Sequence, residues 1–165
     1  MSNIKTGDTV PSVEFKTIGE SGIETLTSAS LFEGCKVLLI GVMGAFTPVC
    51  SKKHLPDFIP FASELKKNGI VDKLMCISVA DPFVLKAWKD IVDPDDKVLM
   101  LTDGNAEFAK AMGLDLDLSH LGLGIRSTRY AMLIENNIVN MLNIEKEPQH
   151  LDVTNSKAIA KFFGV

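Results

Sequence analysis

The segment Thr47-Pro48-Val49-Cys50 contains a cysteine whose thiol is placed to act as a nucleophile. It follows an apolar run over residues 36–42, which is typical of a strand, and it opens a helical pattern. The unpaired N–H groups and the positive dipole end at a helix N-terminus stabilise a thiolate over a thiol. Only the thiolate attacks electrophiles, and the hydroxyl of Thr47 can point at the same place. This spacing favours a reactive cysteine, with a buried structural cysteine as the alternative.

Other side chains could assist or complement the Cys50 thiol. Arg126 and Arg129 precede a predicted strand, and either guanidinium could supply a fixed positive charge to a thiolate. His54 lies one helical turn beyond Cys50, where a cysteine–histidine pair could form, but a solvated helix histidine is the favoured interpretation. Cys76 lies in the middle of an apolar run, so the pattern alone predicts an inert core residue.

The composition is that of an acidic chain large enough to bury one full core. With 165 residues, of which 46% are hydrophobic, residues 1–165 are expected to form a single domain. The net charge of −4, with no lysine/arginine cluster to offset it, argues against nucleic acid and anionic membranes as partners. The apolar runs are too short to span a bilayer, and the first residues resemble neither a signal peptide nor a presequence. The expected location is therefore the cytoplasm.

The cysteines and histidines show no spacing typical of a disulfide framework or a metal site. Cys35, Cys50 and Cys76 are an odd number and form no C-x-x-C pair, and the three histidines are scattered. Zinc sites combine closely spaced cysteine and histidine ligands, which this sequence lacks. We therefore expect a reducing compartment, no metal ion and at least one functional thiol, with Cys35 as a structural residue.

Apolar runs alternate with helical patterns along the chain, which is the signature of an α/β fold. Their order predicts two parallel strands joined by a helix, then a tight hairpin at Asn136-Asn137 and a closing helix. This is the order of a thioredoxin-like fold, with a central mixed β-sheet flanked by helices and the first 35 residues as an N-terminal extension. Residues 113–128 are expected to be the longest irregular stretch. Strands are predicted near 36–42, 73–79, 97–101, 129–135 and 138–144, and helices near 48–67, 82–91, 104–112 and 154–163.

Several separate motifs, in the same order along the chain, resemble the peroxiredoxin-5/type II peroxiredoxins. The resemblance extends from about residue 4 to the last helix and is closest in pattern to the plant-type members. The matching segments are Gly44-Ala45-Phe46-Thr47-Pro48-Val49-Cys50-Ser51, Lys53-His54-Leu55-Pro56, 78–84, 86–88 and 122–130.

This resemblance implies a thiol peroxidase that reduces hydrogen peroxide and alkyl hydroperoxides. Cys50 would be the peroxidatic nucleophile, Thr47 the hydroxyl that bonds the thiolate or the peroxide, and Arg129 the family arginine. The thiolate would become a sulfenic acid, with no metal or organic cofactor required. Glutathione, glutaredoxin or thioredoxin would act as the reductant. A homodimer is also implied, with Phe46 and Phe83 as contact residues.

The sequence departs from the family pattern at the pocket. Met43 stands where the family has a proline that walls the pocket and shields the cysteine. Methionine is larger and more flexible than proline, so we expect it to change the pocket shape, the substrate range or the rate. The predicted pocket residues are Met43, Gly44, Phe46 and Pro48.

A second departure concerns the cysteine that would resolve the sulfenic acid. Mammalian-type members carry it near the last helix, where residues 152–156 contain none. Plant-type members carry a second cysteine in the strand before Asp81-Pro82-Phe83, where Cys76 lies, so Cys76 is a possible resolving residue. A disulfide needs Cα atoms within about 7 Å, so local unwinding could be required. Otherwise glutathione would attack the sulfenic acid.

Two other functions are compatible with the same cysteine. A general disulfide oxidoreductase on this fold is disfavoured because the C-x-x-C pair is missing. A non-catalytic peroxide sensor, redox relay or holdase would use Cys50 oxidation to signal to a partner protein. Slow turnover with stable mixed disulfides would distinguish the sensor from the peroxidase.

Overall fold

The alternation of apolar runs and helical patterns produces one large sheet with helices on both faces in the structure, a computed structural model that describes residues 3–165. The strands are β1 (Glu14–Gly19), β2 (Gly22–Thr27), β3 (Lys36–Gly41), β4 (Lys73–Ser78), β5 (Leu99–Thr102), β6 (Asp115–Asp117), β7 (Ile125–Ser127), β8 (Tyr130–Glu135) and β9 (Ile138–Ile144). The helices are α1 (Ser28–Phe32), α2 (Leu55–Lys67), α3 (Pro82–Val92), α4 (Glu107–Met112) and α5 (Ser156–Phe163), with a π-helical turn at Cys50–His54 and a 3₁₀ turn at Ser119–Leu121.

The main sheet has seven strands in the order β2-β1-β5-β4-β3-β8-β9. The central strands β3, β4 and β5 are parallel to one another, whereas β8 runs antiparallel to β3 and forms a hairpin with β9. In register, Ile40 on β3 lies between Cys76 on β4 and Ala131 on β8. The predicted α/β fold with a mixed sheet flanked by helices is therefore confirmed.

The central strand β3 is buried on both faces, which explains why its sequence is continuously apolar rather than alternating. Leu38 and Ile40 face a core cluster that includes both Cys50 and Cys76 and is covered by α2, α3 and α5. Val37 and Leu39 face a second cluster that is covered by α1 and α4. Cys50 therefore lies on the face of the sheet that α2, α3 and α5 cover.

The hairpin between β8 and β9 turns at Asn136 and Asn137, as predicted. Both residues have positive φ, 48° and 67°, the left-handed conformation that a tight hairpin turn requires and that asparagine tolerates. This turn reverses the chain into β9, which leads to the segment before α5.

Two expectations differ from the structure. Residues 113–128 are not irregular, because β6 and β7 pair as a short antiparallel ribbon in which Leu116 lies opposite Arg126. Strands of three residues are too short to show an alternating pattern in the sequence. The helix predicted over residues 48–67 is also not uniform, since it begins with the π-helical turn.

None of the helices in residues 3–165 combines the length and apolar character that crossing a bilayer requires.

Candidate active site

Cys50 lies in the first turn of the helical segment that follows β3, as the sequence predicts, and its side chain is buried. The chain reverses between β3 and this helix with Phe46 at a φ of 64°. The Ser51 N–H donates to the Thr47 carbonyl at 3.0 Å, which closes the first turn around the cysteine. The indole N–H of Trp88 on α3 donates to the Ser51 hydroxyl at 2.9 Å. These bonds fix the residues on both sides of the thiol.

The helix widens at Cys50–His54, where the Leu55 N–H donates to the Cys50 carbonyl in a π-helical bond. The reason lies one residue further, because Pro56 has no N–H to donate to the Lys52 carbonyl. A single π-helical turn accommodates this missing hydrogen bond before the regular helix α2 begins. Wide turns of this kind occur frequently at functional sites, and here the turn carries the candidate nucleophile.

Arg129 lies beside Cys50 and is also buried. Its Nη2 donates to Cys50 Sγ at 3.1 Å, and Nε and Nη2 donate to the Pro148 carbonyl at 3.0 and 2.9 Å. Its Nη1 is 2.9 Å from His54 Nδ1. Within residues 3–165, no carboxylate forms an ion pair with this guanidinium. The guanidinium is held instead by Cys50 Sγ, the Pro148 carbonyl and the His54 ring, so the sulfur lies against a fixed positive charge.

His54 is buried against Arg129, so the prediction of a solvated helix histidine is wrong. Burial and the positive charge of Arg129 lower the pKa of His54 from 6.5 to about 4. The neutral ring accepts from Arg129 at Nδ1, and it therefore carries its proton on Nε2, which donates to the Thr154 carbonyl at 3.2 Å. His54 does not bond the thiol directly but fixes the guanidinium that does.

The lowered pKa of His54 predicts a loss of stability in acid. Between about 4 and 6.5 the unfolded chain binds a proton that the folded chain does not, so stability falls as the pH falls through this window. We expect this residue alone to cost about 3 kcal/mol of unfolding free energy between pH 7 and pH 4. Urea unfolding of wild type and of His54→Gln measures it, with the exposed His120→Gln as the control. Identical pH dependence in wild type and His54→Gln would contradict this assignment.

Thr47 and Gly44 lie in the turn before Cys50 and are joined by a hydrogen bond. The Thr47 hydroxyl donates to the Gly44 carbonyl at 2.6 Å, which leaves the lone pairs of its oxygen able to accept a hydrogen bond. A Cβ atom on Gly44 would lie 2.8 Å from Arg126 Nη1, so a side chain here would collide with that guanidinium. Arg126 therefore lies next to Gly44, while Arg129 contacts the sulfur. The sequence offered both arginines as candidates, and only Arg129 bonds the thiol.

The other predicted pocket residues lie on the same turn. Met43 is partly buried and packs against the core cluster that contains Cys50. Phe46 is 53% exposed, and Pro48 is exposed at the start of the helix. Their role as pocket walls stays a prediction.

Cys76 lies in the same core cluster as Cys50 but on the central strand β4. Burial raises the pKa of the Cys76 thiol far above its usual range, and the nearby Cys50 raises it further. Register pairing with Ile40 on one side and Met100 on the other holds this residue in the sheet. All three cysteines are free thiols in the structure, and the partly buried Cys35 donates to the Leu31 carbonyl at 3.2 Å.

The sequence did not point to the segment between β9 and α5, yet this segment supplies two groups to the site. The carbonyls of Pro148 and Thr154 accept from Arg129 and His54, respectively. A backbone carbonyl has no signature in the side-chain pattern, so only the fold reveals these contacts. No group of three or more His, Cys, Asp or Glu side chains is arranged to hold a metal ion in the described part of the chain.

Known proteins resemble this chain over most of its length. A protein-family model described as Redoxin matches residues 5–159. Peroxiredoxin-2C from Oryza sativa subsp. japonica is 45% identical over 150 residues, which cover 90% of this chain and 92% of that protein. Chloroplastic Peroxiredoxin-2E from Arabidopsis thaliana is 43% identical over 149 residues; they cover 88% of this chain but only 63% of that protein, less than two thirds of its length. The solved structure of reduced Prx3 from Vibrio vulnificus in complex with H2O2 superposes with a TM-score of 0.88 at 42% identity, covering 96% of this chain and 98% of that one.

Proposed function

Because the chain belongs to the peroxiredoxin family, whose members are thiol peroxidases, we propose that it reduces hydrogen peroxide and alkyl hydroperoxides with Cys50 as the nucleophile. The resemblance and the thioredoxin-like fold predicted from the sequence are thus confirmed. The observation that carries the proposal is the 3.1 Å contact between Arg129 Nη2 and Cys50 Sγ in a buried site. This geometry places a fixed cation where a thiolate is formed and where charge moves during peroxide cleavage.

In the first step, the Cys50 thiolate attacks one peroxide oxygen and the O–O bond breaks. The sulfur becomes a sulfenic acid, and the other oxygen leaves as hydroxide or alkoxide, which takes a proton from solvent to give water or an alcohol. The Arg129 guanidinium stabilises the negative charge as it passes from sulfur to the leaving oxygen. The Thr47 oxygen, whose proton is committed to the Gly44 carbonyl, can accept a hydrogen bond from the O–H of the peroxide. The Vibrio vulnificus relative, solved with H2O2, supports hydrogen peroxide as a substrate.

We further propose that an external thiol, rather than Cys76, reduces the sulfenic acid. The external thiol sulfur attacks the sulfenic sulfur, and water leaves as a mixed disulfide forms. A second thiol then releases the Cys50 thiol and takes the first thiol into a new disulfide. Glutathione with glutaredoxin, or thioredoxin, provides such thiols. Cys76 is disfavoured because its raised pKa and its place in the central sheet oppose both ionisation and movement.

Trapping the sulfenic acid tests the chemistry directly. Wild-type protein is treated with one equivalent of peroxide and with dimedone, and the modified cysteine is identified by mass spectrometry. We expect the adduct on Cys50, with Cys35 and Cys76 unmodified. A modified Cys50 without multiple turnover in the presence of either thiol system would instead support the sensor or relay function.

The role of Cys76 is tested by Cys76→Ser. We expect this variant to retain peroxide turnover within about twofold of wild type, because an external thiol resolves the sulfenic acid. Peroxide consumption is measured with glutathione and glutaredoxin and, separately, with thioredoxin. If turnover in Cys76→Ser collapses with both reductants while a single equivalent of peroxide is still consumed, Cys76 is the resolving cysteine.

We also propose that the protein works in the cytoplasm as a homodimer. The support for a dimer is the exposure of large aromatic side chains, since Phe46 is 53% and Phe83 is 65% exposed. Exposed aromatic residues of this size are enriched at protein–protein interfaces. Phe46 lies on the turn before Cys50, so such an interface would border the active site.

A further inference from the structure

The segment between β9 and α5 provides the carbonyl groups that orient the Arg129 guanidinium and the neutral His54 ring. The Pro148 carbonyl accepts two bonds from Arg129, at 3.0 and 2.9 Å. The Thr154 carbonyl lies 3.2 Å from His54 Nε2, and His54 in turn accepts from Arg129. The position of the guanidinium therefore depends on how firmly residues 146–154 are held.

One buried carboxylate holds this segment closed. Glu145 is only 5% exposed, and its Oε1 accepts from the Val153 N–H at 2.8 Å. The same oxygen accepts from the Thr154 N–H and from the Thr154 hydroxyl, each at 2.9 Å. The Glu145 N–H donates to the Arg129 carbonyl at 2.9 Å. Glu145 is therefore bonded to the backbone of Arg129 through its own backbone and to Thr154 through its side chain.

We propose that Glu145 is a positioning residue for the peroxidase reaction and acts on Cys50 through Arg129. Its carboxylate closes residues 146–154 into a loop with both acceptor carbonyls facing inward. Without it, the loop loses three bonds at its far end, and the Pro148 and Thr154 carbonyls lose their fixed positions. The guanidinium then moves away from the sulfur, because the Pro148 carbonyl that accepts from it is displaced and the His54 ring that accepts from it is no longer held by the Thr154 carbonyl. A displacement of this kind is enough to slow a reaction that depends on precise charge placement.

The inference rests on the proposed peroxidase function, so its main readout is chosen to need no peroxide. The pH dependence of Cys50 alkylation by iodoacetamide is followed by mass spectrometry in wild type and Glu145→Ala. We expect the midpoint of this profile to move to higher pH in Glu145→Ala, because the thiolate loses its cation. In Glu145→Gln, which keeps an acceptor oxygen in the same place, the profile should stay close to wild type. The exposed Glu135→Ala is the matched control and should leave the profile unchanged.

Turnover and a double variant complete the test. We expect kcat/KM for hydrogen peroxide to fall by about 10-fold to 100-fold in Glu145→Ala. In an Arg129→Met background, Glu145→Ala should produce no further shift of the alkylation profile, since the effect passes through Arg129. A folded Glu145→Ala protein with a wild-type alkylation profile overturns the proposal, whatever its turnover. If Glu145→Ala does not fold, Thr154→Val decides, because it removes only the hydroxyl donor; an unchanged profile in that variant overturns the proposal as well.

Discussion

Cys50→Ser is expected to lose peroxide consumption by more than about 1,000-fold, down to the background of the assay. A serine hydroxyl does not ionise at neutral pH and cannot form the sulfenic acid through which the O–O bond is cleaved. The serine oxygen can still accept from Arg129, so the buried guanidinium keeps a partner and the fold should be retained. Consumption of hydrogen peroxide is measured with each thiol system at equal protein concentration.

Cys35→Ser is the control for this experiment. It removes a partly buried thiol on the other side of the sheet, so we expect full turnover and only a small change in stability. Circular dichroism of both variants shows whether the fold is intact. Peroxide turnover that survives in a folded Cys50→Ser protein would disprove the mechanism, because neither remaining cysteine contacts Arg129.

Arg129→Met has the second largest expected effect. The methionine has a similar length but no charge and no donors, so the thiolate loses its counter-charge and the leaving oxygen loses its stabilising group. Removing a donor of this type typically costs about 100-fold to 1,000-fold in rate, and we expect kcat/KM for hydrogen peroxide to fall in this range. Stopped-flow kinetics of the first oxidation step measures it without interference from the reductant.

Two further variants separate the effect of positive charge near Cys50 from the effect of the direct contact between Arg129 and the sulfur. Arg129→Lys keeps the charge but cannot bond Cys50, His54 and Pro148 together, so an intermediate rate is expected. Arg126→Met removes the neighbouring arginine, which lies beside Gly44 and does not bond the sulfur. We expect it to lower the rate far less than Arg129→Met does. Equal losses in Arg126→Met and Arg129→Met would show that the net positive charge matters and the contact does not.

The sequence predicted the elements that are set by local chemistry and by burial. The strands β3 and β4 were visible because both faces are covered, and Cys50 was visible because a strand, a turn and a proline mark the start of its helix. His54 was misread because a helical pattern does not say which face becomes buried. Its burial depends on Arg129 and on Thr154, which lie far away in the sequence and meet it only in the folded chain.

The same limit applies to the remaining parts of the site. The bonds of Arg129 to the Pro148 carbonyl involve a backbone atom, which any residue type could provide. Glu145 looks like an ordinary acidic residue at the end of a strand, and only its buried position reveals the three bonds that its side chain accepts. Contacts of this kind arise from the closure of a loop, and local sequence patterns do not encode them.

The hydrogen bond from Trp88 to Ser51 places the tryptophan fluorophore beside the first turn of the site. Trp88 is the only tryptophan in the chain, and its indole is buried and donates to the residue next to Cys50. The intrinsic emission of the protein therefore comes largely from one indole that is hydrogen-bonded beside Cys50. Any displacement of this turn would change the surroundings of that single indole, so tryptophan emission is a direct probe of the turn that needs no added label.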